Sequence, residues 1–135
     1  MPPDTSSEAP PDIEPAIRMI AMPADANPSG DIFGGWIMSL MDMAGGTIAY
    51  QRAGGRVVTI SAREITFLVP VSVGDEVSCY AEVSAIGRTS ITTRIQVWVK
   101  RRQGGRPFKV TEGDYIYVHV DGAGRPAAVP EEVET

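Results

Sequence analysis

Two carboxylates, Asp31 and Asp42, one asparagine and two glycine pairs fall within the stretch from Asn27 to Gly46, and this stretch breaks local rules of structure in three places. It runs Asn27-Pro28-Ser29-Gly30-Asp31-Ile32-Phe33-Gly34-Gly35-Trp36 and continues through Met41-Asp42-Met43-Ala44-Gly45-Gly46. Gly34-Gly35 falls where a helix begins, so unpaired backbone amides point outward there with no side chain in front of them. Such amides can receive a carbonyl oxygen or an oxyanion. Gly45-Gly46 lies in mid-helix, where each glycine costs about 1 kcal/mol relative to alanine, and another backbone or a ligand coming close is the usual reason. Asp42 lies one helical step off the apolar stripe, on the side shared by Met38, Gly45 and Ala49. A carboxylate among apolar groups and glycines has a motive to be functional, since burial makes a carboxylate a stronger base. Taken alone, the same residues also fit plainer roles: Asp42 as a solvated helix aspartate, Gly34-Gly35 as a loop-to-helix joint, Asn27 and Asp31 as turn and cap residues.

Other chemistries are excluded by what the chain lacks. A single His119 cannot build a histidine-rich metal site, and neither a Gly-x-Ser-x-Gly elbow nor a Gly-x-x-x-x-Gly-Lys phosphate loop is present. Cys79 lies on the apolar side of a strand pattern and reads as a structural thiol, and His119 reads as a partly exposed strand residue.

The elements that must position Asp42 follow from periodicity. Ile37, Leu40, Met41, Ala44 and Ile48 recur at helical spacing, which predicts a helix over residues 33–52, closed by Gly54-Gly55. A short strand over residues 17–22 precedes it, stopped by Pro23. After the helix, Val77, Cys79, Ala81, Val83 and Ala85 alternate with polar neighbours, and so do Ile91, Thr93, Ile95, Val97 and Val99, with Gly87-Arg88-Thr89 as the hairpin between them. Further strands are predicted over 56–67 and 108–121. One helix and a run of hairpin-linked strands imply an antiparallel α+β sheet with open edges, which invites pairing of two subunits.

The net charge of -5 argues against general binding to a phosphate backbone, and no window is apolar enough to span a bilayer. A lone cysteine and a start without a signal-peptide pattern point to the cytoplasm. Residues 1–12 and 122–135 are rich in Pro and acids, so both are expected to be mobile tails around a single domain over 13–121.

The segment from Asn27 to Ile48, with Ala21-Met22-Pro23-Ala24-Asp25 before it, resembles the signature of the cytosolic and bacterial acyl-coenzyme A thioester hydrolases of the hotdog fold, the ACOT type. The resemblance continues through Arg56-Val57-Val58-Thr59, the run Thr66 to Asp75, Gly87-Arg88-Thr89-Ser90 and Val97-Trp98-Val99-Lys100, covering residues 16 to 130. It implies one central helix wrapped by five to six antiparallel strands. It further implies an acyl-coenzyme A substrate and a coenzyme A product, no cofactor or metal, and a homodimer assembling to a hexamer as a trimer of dimers. By the same resemblance Asp42 is the catalytic carboxylate and Asn27 the catalytic asparagine, and the substrate channel runs along the dimer interface. The Gly35 amide would polarise the thioester carbonyl, and Asp42 would act as general base or as nucleophile. Phe33, Gly34, Thr59, Arg88, Thr89 and Ser90 are the expected substrate contacts, with Lys100 a further candidate on the phosphates. Leu40 stands where relatives often carry a polar residue, and the turn 101–106 is shorter than in some. A non-catalytic acyl-coenzyme A binding module is the competing class; it would need no carboxylate at position 42.

Overall fold

The computed structural model describes residues 9–132. The elements run β1 (Ile17–Ile20), a 3-10 turn (Pro23–Asp25), α1 (Gly34–Ala53), β2 (Val57–Phe67), β3 (Glu76–Ile86), β4 (Ser90–Lys100) and β5 (Phe108–His119). All neighbouring strands are antiparallel in the order β1-β3-β4-β5-β2, and α1 packs against every one of them. This is the helix wrapped by a sheet that the sequence implies, with five strands. Among the described residues no helix is long and apolar enough to cross a membrane.

Strand order is where the structure departs from the expected run of hairpins. β3, β4 and β5 are joined by hairpins, but β2 lies beyond β5 at the far edge, so residues 68–75 must cross the end of the sheet. The crossing is held by Leu68 N–H donating to Val110 O at 2.7 Å and Ile32 N–H donating to Val71 O at 2.9 Å. It therefore passes the helix start. A turn at Ser72–Asp75 follows, where buried Asp75 accepts from Ser72 N–H at 2.8 Å and pairs with Arg101.

Helix α1 ends as its glycine predicts: Gly54 takes φ +70, and its N–H caps Tyr50 O at 2.9 Å. The buried face carries Ile37, Leu40, Met41 and Ala44, then turns to Gly45, Ala49 and Ala53, leaving Ile48 only half-buried. Small side chains bring this end of α1 close to the sheet. β4 follows its alternation, with Ile91, Thr93, Ile95, Val97 and Val99 fully buried; each large aliphatic there contributes about 1.5–3 kcal/mol. β3 does not. Val77, Cys79 and Ala81 are buried, whereas Val83 and Ala85, expected inward, are exposed: β1 pairs only with Glu76–Cys79, and Val83 faces an open recess beside Ile48, Gln51 and Arg52. On the outer face Ser78, Tyr80 and Trp98 are buried as well, beneath residues 10–13 and Pro107.

β2 has two irregularities against β5, between Thr59 and Ser61 and between Arg63 and Thr66. At the second, Glu64 adopts φ +59 opposite Gly113, whose missing Cβ would stand 2.5 Å from Ile65 Cγ1. Each slip reverses which residues face α1, so Thr59, Ile65 and Phe67 turn inward while Arg63 stays out. Among the described residues the other edge of β2 has no partner.

The chain after β5 runs back along the β3–β4 hairpin. Ala127 N–H donates to His119 O and Val129 N–H to Arg88 O, both at 2.8 Å, and Arg52 reaches Pro130 O at 2.7 Å. Residues 1–8 and 133–135 of the two expected tails lie outside the described residues.

Candidate active site

Asp42 sits in the third turn of α1, half-buried, with two hydroxyls on one of its oxygens. Thr59 Oγ1 of β2 donates to Asp42 Oδ1 at 2.8 Å, and Tyr117 Oη of β5 lies 3.0 Å from the same atom. Tyr117 Oη also lies 2.9 Å from the Asp42 backbone carbonyl, and Tyr115 Oη donates to Met38 O at 2.8 Å, one turn earlier. Burial, and then the charge of Asp42, hold the Tyr117 hydroxyl well above the ordinary phenol range and raise that of Tyr115 to about 12. Both are therefore neutral donors. Gly45 makes this approach possible: a Cβ there would stand 2.6 Å from Tyr117 Oη and 2.6 Å from Thr93 Oγ1. The close packing that the mid-helix pair suggests thus belongs to Gly45. At Gly46 a Cβ would meet Tyr117 Cε1 at an ordinary 3.5 Å.

A second cluster gathers at the start of α1. Trp36 N–H and Ile37 N–H both reach back to Phe33 O, at 3.1 and 3.4 Å, so the amides of Gly34 and Gly35 are the ones that precede the helical ladder. Nothing lies within 4 Å of a Cβ built on Gly35, and the residue is exposed, so no side chain crowds it at the positive end of the helix. Gly34 differs: its Cβ position lies 3.2 Å from the Phe67 ring, so it is a packing joint between the two elements. Gly34, Ile37, Phe67 and Val71 line part of a recess of about 260 Å³ beside the helix start. Phe33 is half exposed next to it. Asn27 has a structural task here as well: its Oδ1 accepts from Ser29 N–H at 2.9 Å and Asp31 N–H at 3.1 Å, which closes the loop into α1. Only its amide NH2 is left to face a substrate.

The third cluster lies at the other end of the molecule. Arg88 is exposed at the tip of the β3–β4 hairpin, with Thr89 and Ser90 half-buried beside it. Gly87 N–H donates to Ser90 O and His119 N–H to Thr89 O, each at 2.8 Å, so the hairpin is fixed while the guanidinium is free to meet an anion. Lys100, at the far end of β4, is a strand away from it. His119 Nδ1 lies 3.0 Å from Ala128 O, and Cys79 is buried with its thiol pushed up to about 12, so neither takes part.

Of the expected residues, the structure thus joins Asp42 with Thr59, groups Asn27, Phe33, Gly34 and Gly35, and sets Arg88, Thr89 and Ser90 apart. Tyr117 was not foreseen. A tyrosine alternating inward in a strand is ordinary core, and its contact spans 75 positions.

A single helix enclosed by a five-stranded antiparallel sheet is the architecture of the hotdog class. The chain belongs to the thioesterase superfamily, whose family model matches residues 29–105. Within it, the chain is similar to acyl-CoA thioester hydrolase YciA of Salmonella typhimurium, 48% identical over 129 residues that cover 93% of this chain and 97% of that protein. Among solved structures, a hexameric thioesterase from Yersinia pestis superposes with a TM-score of 0.86 at 49% identity, covering 91% of this chain and 100% of that one. A hexameric hotdog fold thioesterase of Campylobacter jejuni gives 0.83 at 40% identity, over 87% of this chain and 91% of the other.

Proposed function

We propose that this chain hydrolyses acyl-coenzyme A thioesters to a carboxylic acid and coenzyme A, in the cytoplasm, as homodimers that assemble into a hexamer. The observation that carries this reading is the Asp42 carboxylate held by Thr59 and Tyr117 on the subunit's open edge, in a chain whose relatives are acyl-CoA thioester hydrolases. A thioester is already activated, so the protein needs to hold it, polarise its carbonyl and deliver water. The Gly35 amide polarises the carbonyl oxygen, and Asp42 takes the proton of the attacking water as general base. The Asn27 amide NH2 supplies a further donor to the thioester oxygen, and Arg88 with Thr89 and Ser90 meets the coenzyme A phosphates. Acyl chain and pantetheine pass along the subunit interface, past Phe33 and Gly34.

Helix geometry supports a site shared between subunits. Gly35 and Asp42 are seven positions apart on α1, about 10 Å along its axis. One carbonyl group cannot touch both within a chain. Thr59 belongs to β2, whose outer edge is unpaired, so Asp42 lies beside the edge where a second copy would join. A two-fold axis there brings the helix start of one subunit to the Asp42 of the other.

The test measures thiol release from acyl-coenzyme A together with coenzyme A affinity. Asp42→Asn is expected to lower turnover about 100-fold or more while affinity stays. Asn27→Asp keeps the loop-closing oxygen and removes the NH2, so it should be inactive yet folded. After subunit exchange, an equal mixture of the two variants should recover about a quarter of wild-type activity, since half the dimers are mixed and each then has one intact site. No recovery after proven exchange would place both residues in one subunit's site.

A further inference from the structure

We propose that Tyr117 is the positioning residue for Asp42: its hydroxyl and that of Thr59 hold Oδ1, which makes Oδ2 the oxygen that takes the proton from water. The inference rests on the thioesterase reading and deepens it. Three observations converge. Tyr117 Oη lies 3.0 Å from Asp42 Oδ1 and Thr59 Oγ1 lies 2.8 Å from the same atom, whereas among the described residues no side chain or backbone group bonds Oδ2. Tyr117 is only 1% exposed, fixed between β4 and α1, so its hydroxyl cannot swing to water. Gly45 has no Cβ at the one point where a methyl would stand 2.6 Å from that hydroxyl. The glycine opens the path by which a strand tyrosine reaches a helix carboxylate.

The second acceptor of Tyr117 completes the device. One phenol proton faces two oxygens, Asp42 Oδ1 at 3.0 Å and the Asp42 carbonyl at 2.9 Å. While the carboxylate is ionised, the charge-assisted bond to Oδ1 is the stronger. Once Oδ2 has taken the water proton, Oδ1 is the weaker acceptor, and the phenol proton turns to the backbone carbonyl. No proton leaves the tyrosine, which stays neutral throughout, as its burial requires. The buried hydroxyl is thus satisfied before and after proton transfer, and neither state strands an unpaired polar group.

Tyr117→Phe removes the donor and keeps the ring. In the assembled enzyme, kcat should fall roughly ten- to hundredfold, the range for losing one bond to a charged group, with KM and coenzyme A affinity within about twofold. In an Asp42→Asn background the same substitution should cost nothing further, because a residue that acts through Asp42 has nothing left to act on. Thr59→Val, on an exposed strand where folding is not at stake, should show the same split to a smaller degree. Unchanged kcat in both variants, a rise confined to KM, or an equal loss in the Asp42→Asn background would overturn the assignment. A wild-type protein without thiol release would instead overturn the thioesterase reading itself.

Discussion

At the scale of single residues, the balance of burial and hydrogen bonding decides which groups are available for chemistry. Cys79 is the clearest withdrawn group, a thiol with no exposed surface whose titration is pushed up to about 12. A folded-state value above the unfolded one means that the native state holds its proton longer. The associated stability is therefore complete below about pH 9 and is lost as pH rises from 9 toward 12. Tyr115, also raised to about 12, adds the same sign above pH 10. We expect the thermal midpoint to fall steeply between pH 9 and 11, and Cys79→Ala to be less stable at pH 8 but to lose less over that interval; identical slopes would rule the thiol out. Asp42 and Gly35 stood out as candidates in the sequence because each violates a local rule, an acid among apolar neighbours and a glycine opening a helix, but local rules left plainer roles equally open and the family resemblance tipped the choice. Asn27 was legible only through family resemblance, since its loop-closing bonds are those of an ordinary turn residue. The role of Tyr117 is set by tertiary distance, to which no local pattern points.

Among the elements, α1 carries the candidate site, and its glycine pair separates two causes. Gly45→Ala would push a methyl to 2.6 Å from Tyr117 Oη and 2.8 Å from Ile95 Cδ1. The overpacking cost of about 1–3 kcal/mol outweighs the roughly 1 kcal/mol gained in helix propensity, so the thermal midpoint should drop. Gly46→Ala meets only ordinary contact inside the subunit and should raise the midpoint by a few degrees. Should Gly46→Ala lower stability or break assembly in calorimetry and sedimentation, a second copy comes close at that point of the helix. Boundaries of α1, β4 and the β3–β4 hairpin follow directly from apolar period and glycine placement. The place of β2 does not, because a strand's neighbour is chosen by pairing across the sheet and not by its own alternation. The exposed half of β3 was equally hidden, since it depends on how far the short strand β1 runs along its edge.

For the whole molecule, the edge of β2, unpaired among the described residues, is the place where the proposed shared site lets assembly and activity be tested together. Ile60 is 56% exposed on that strand and stands at its first irregularity, outside the core. Ile60→Lys should leave the subunit folded, convert the assembly to monomers in sedimentation and abolish thiol release with it, since a charged edge resists pairing and the proposed site draws on two chains. An intact, active oligomer would place the interface elsewhere. The composition and fold class were readable from the chain, whereas assembly was readable from its own residues only as an edge left open, and its order only through the family resemblance. That edge has a further consequence for newly made chains, which must exist before a partner is found. Fibril growth needs an uninterrupted template of about six or seven regular residues, yet the two slips leave β2 with runs of only three, Val57–Thr59 and Ser61–Arg63, before Glu64 turns the backbone aside. A waiting subunit can thus be sticky toward its own matching copy and a poor seed for amyloid.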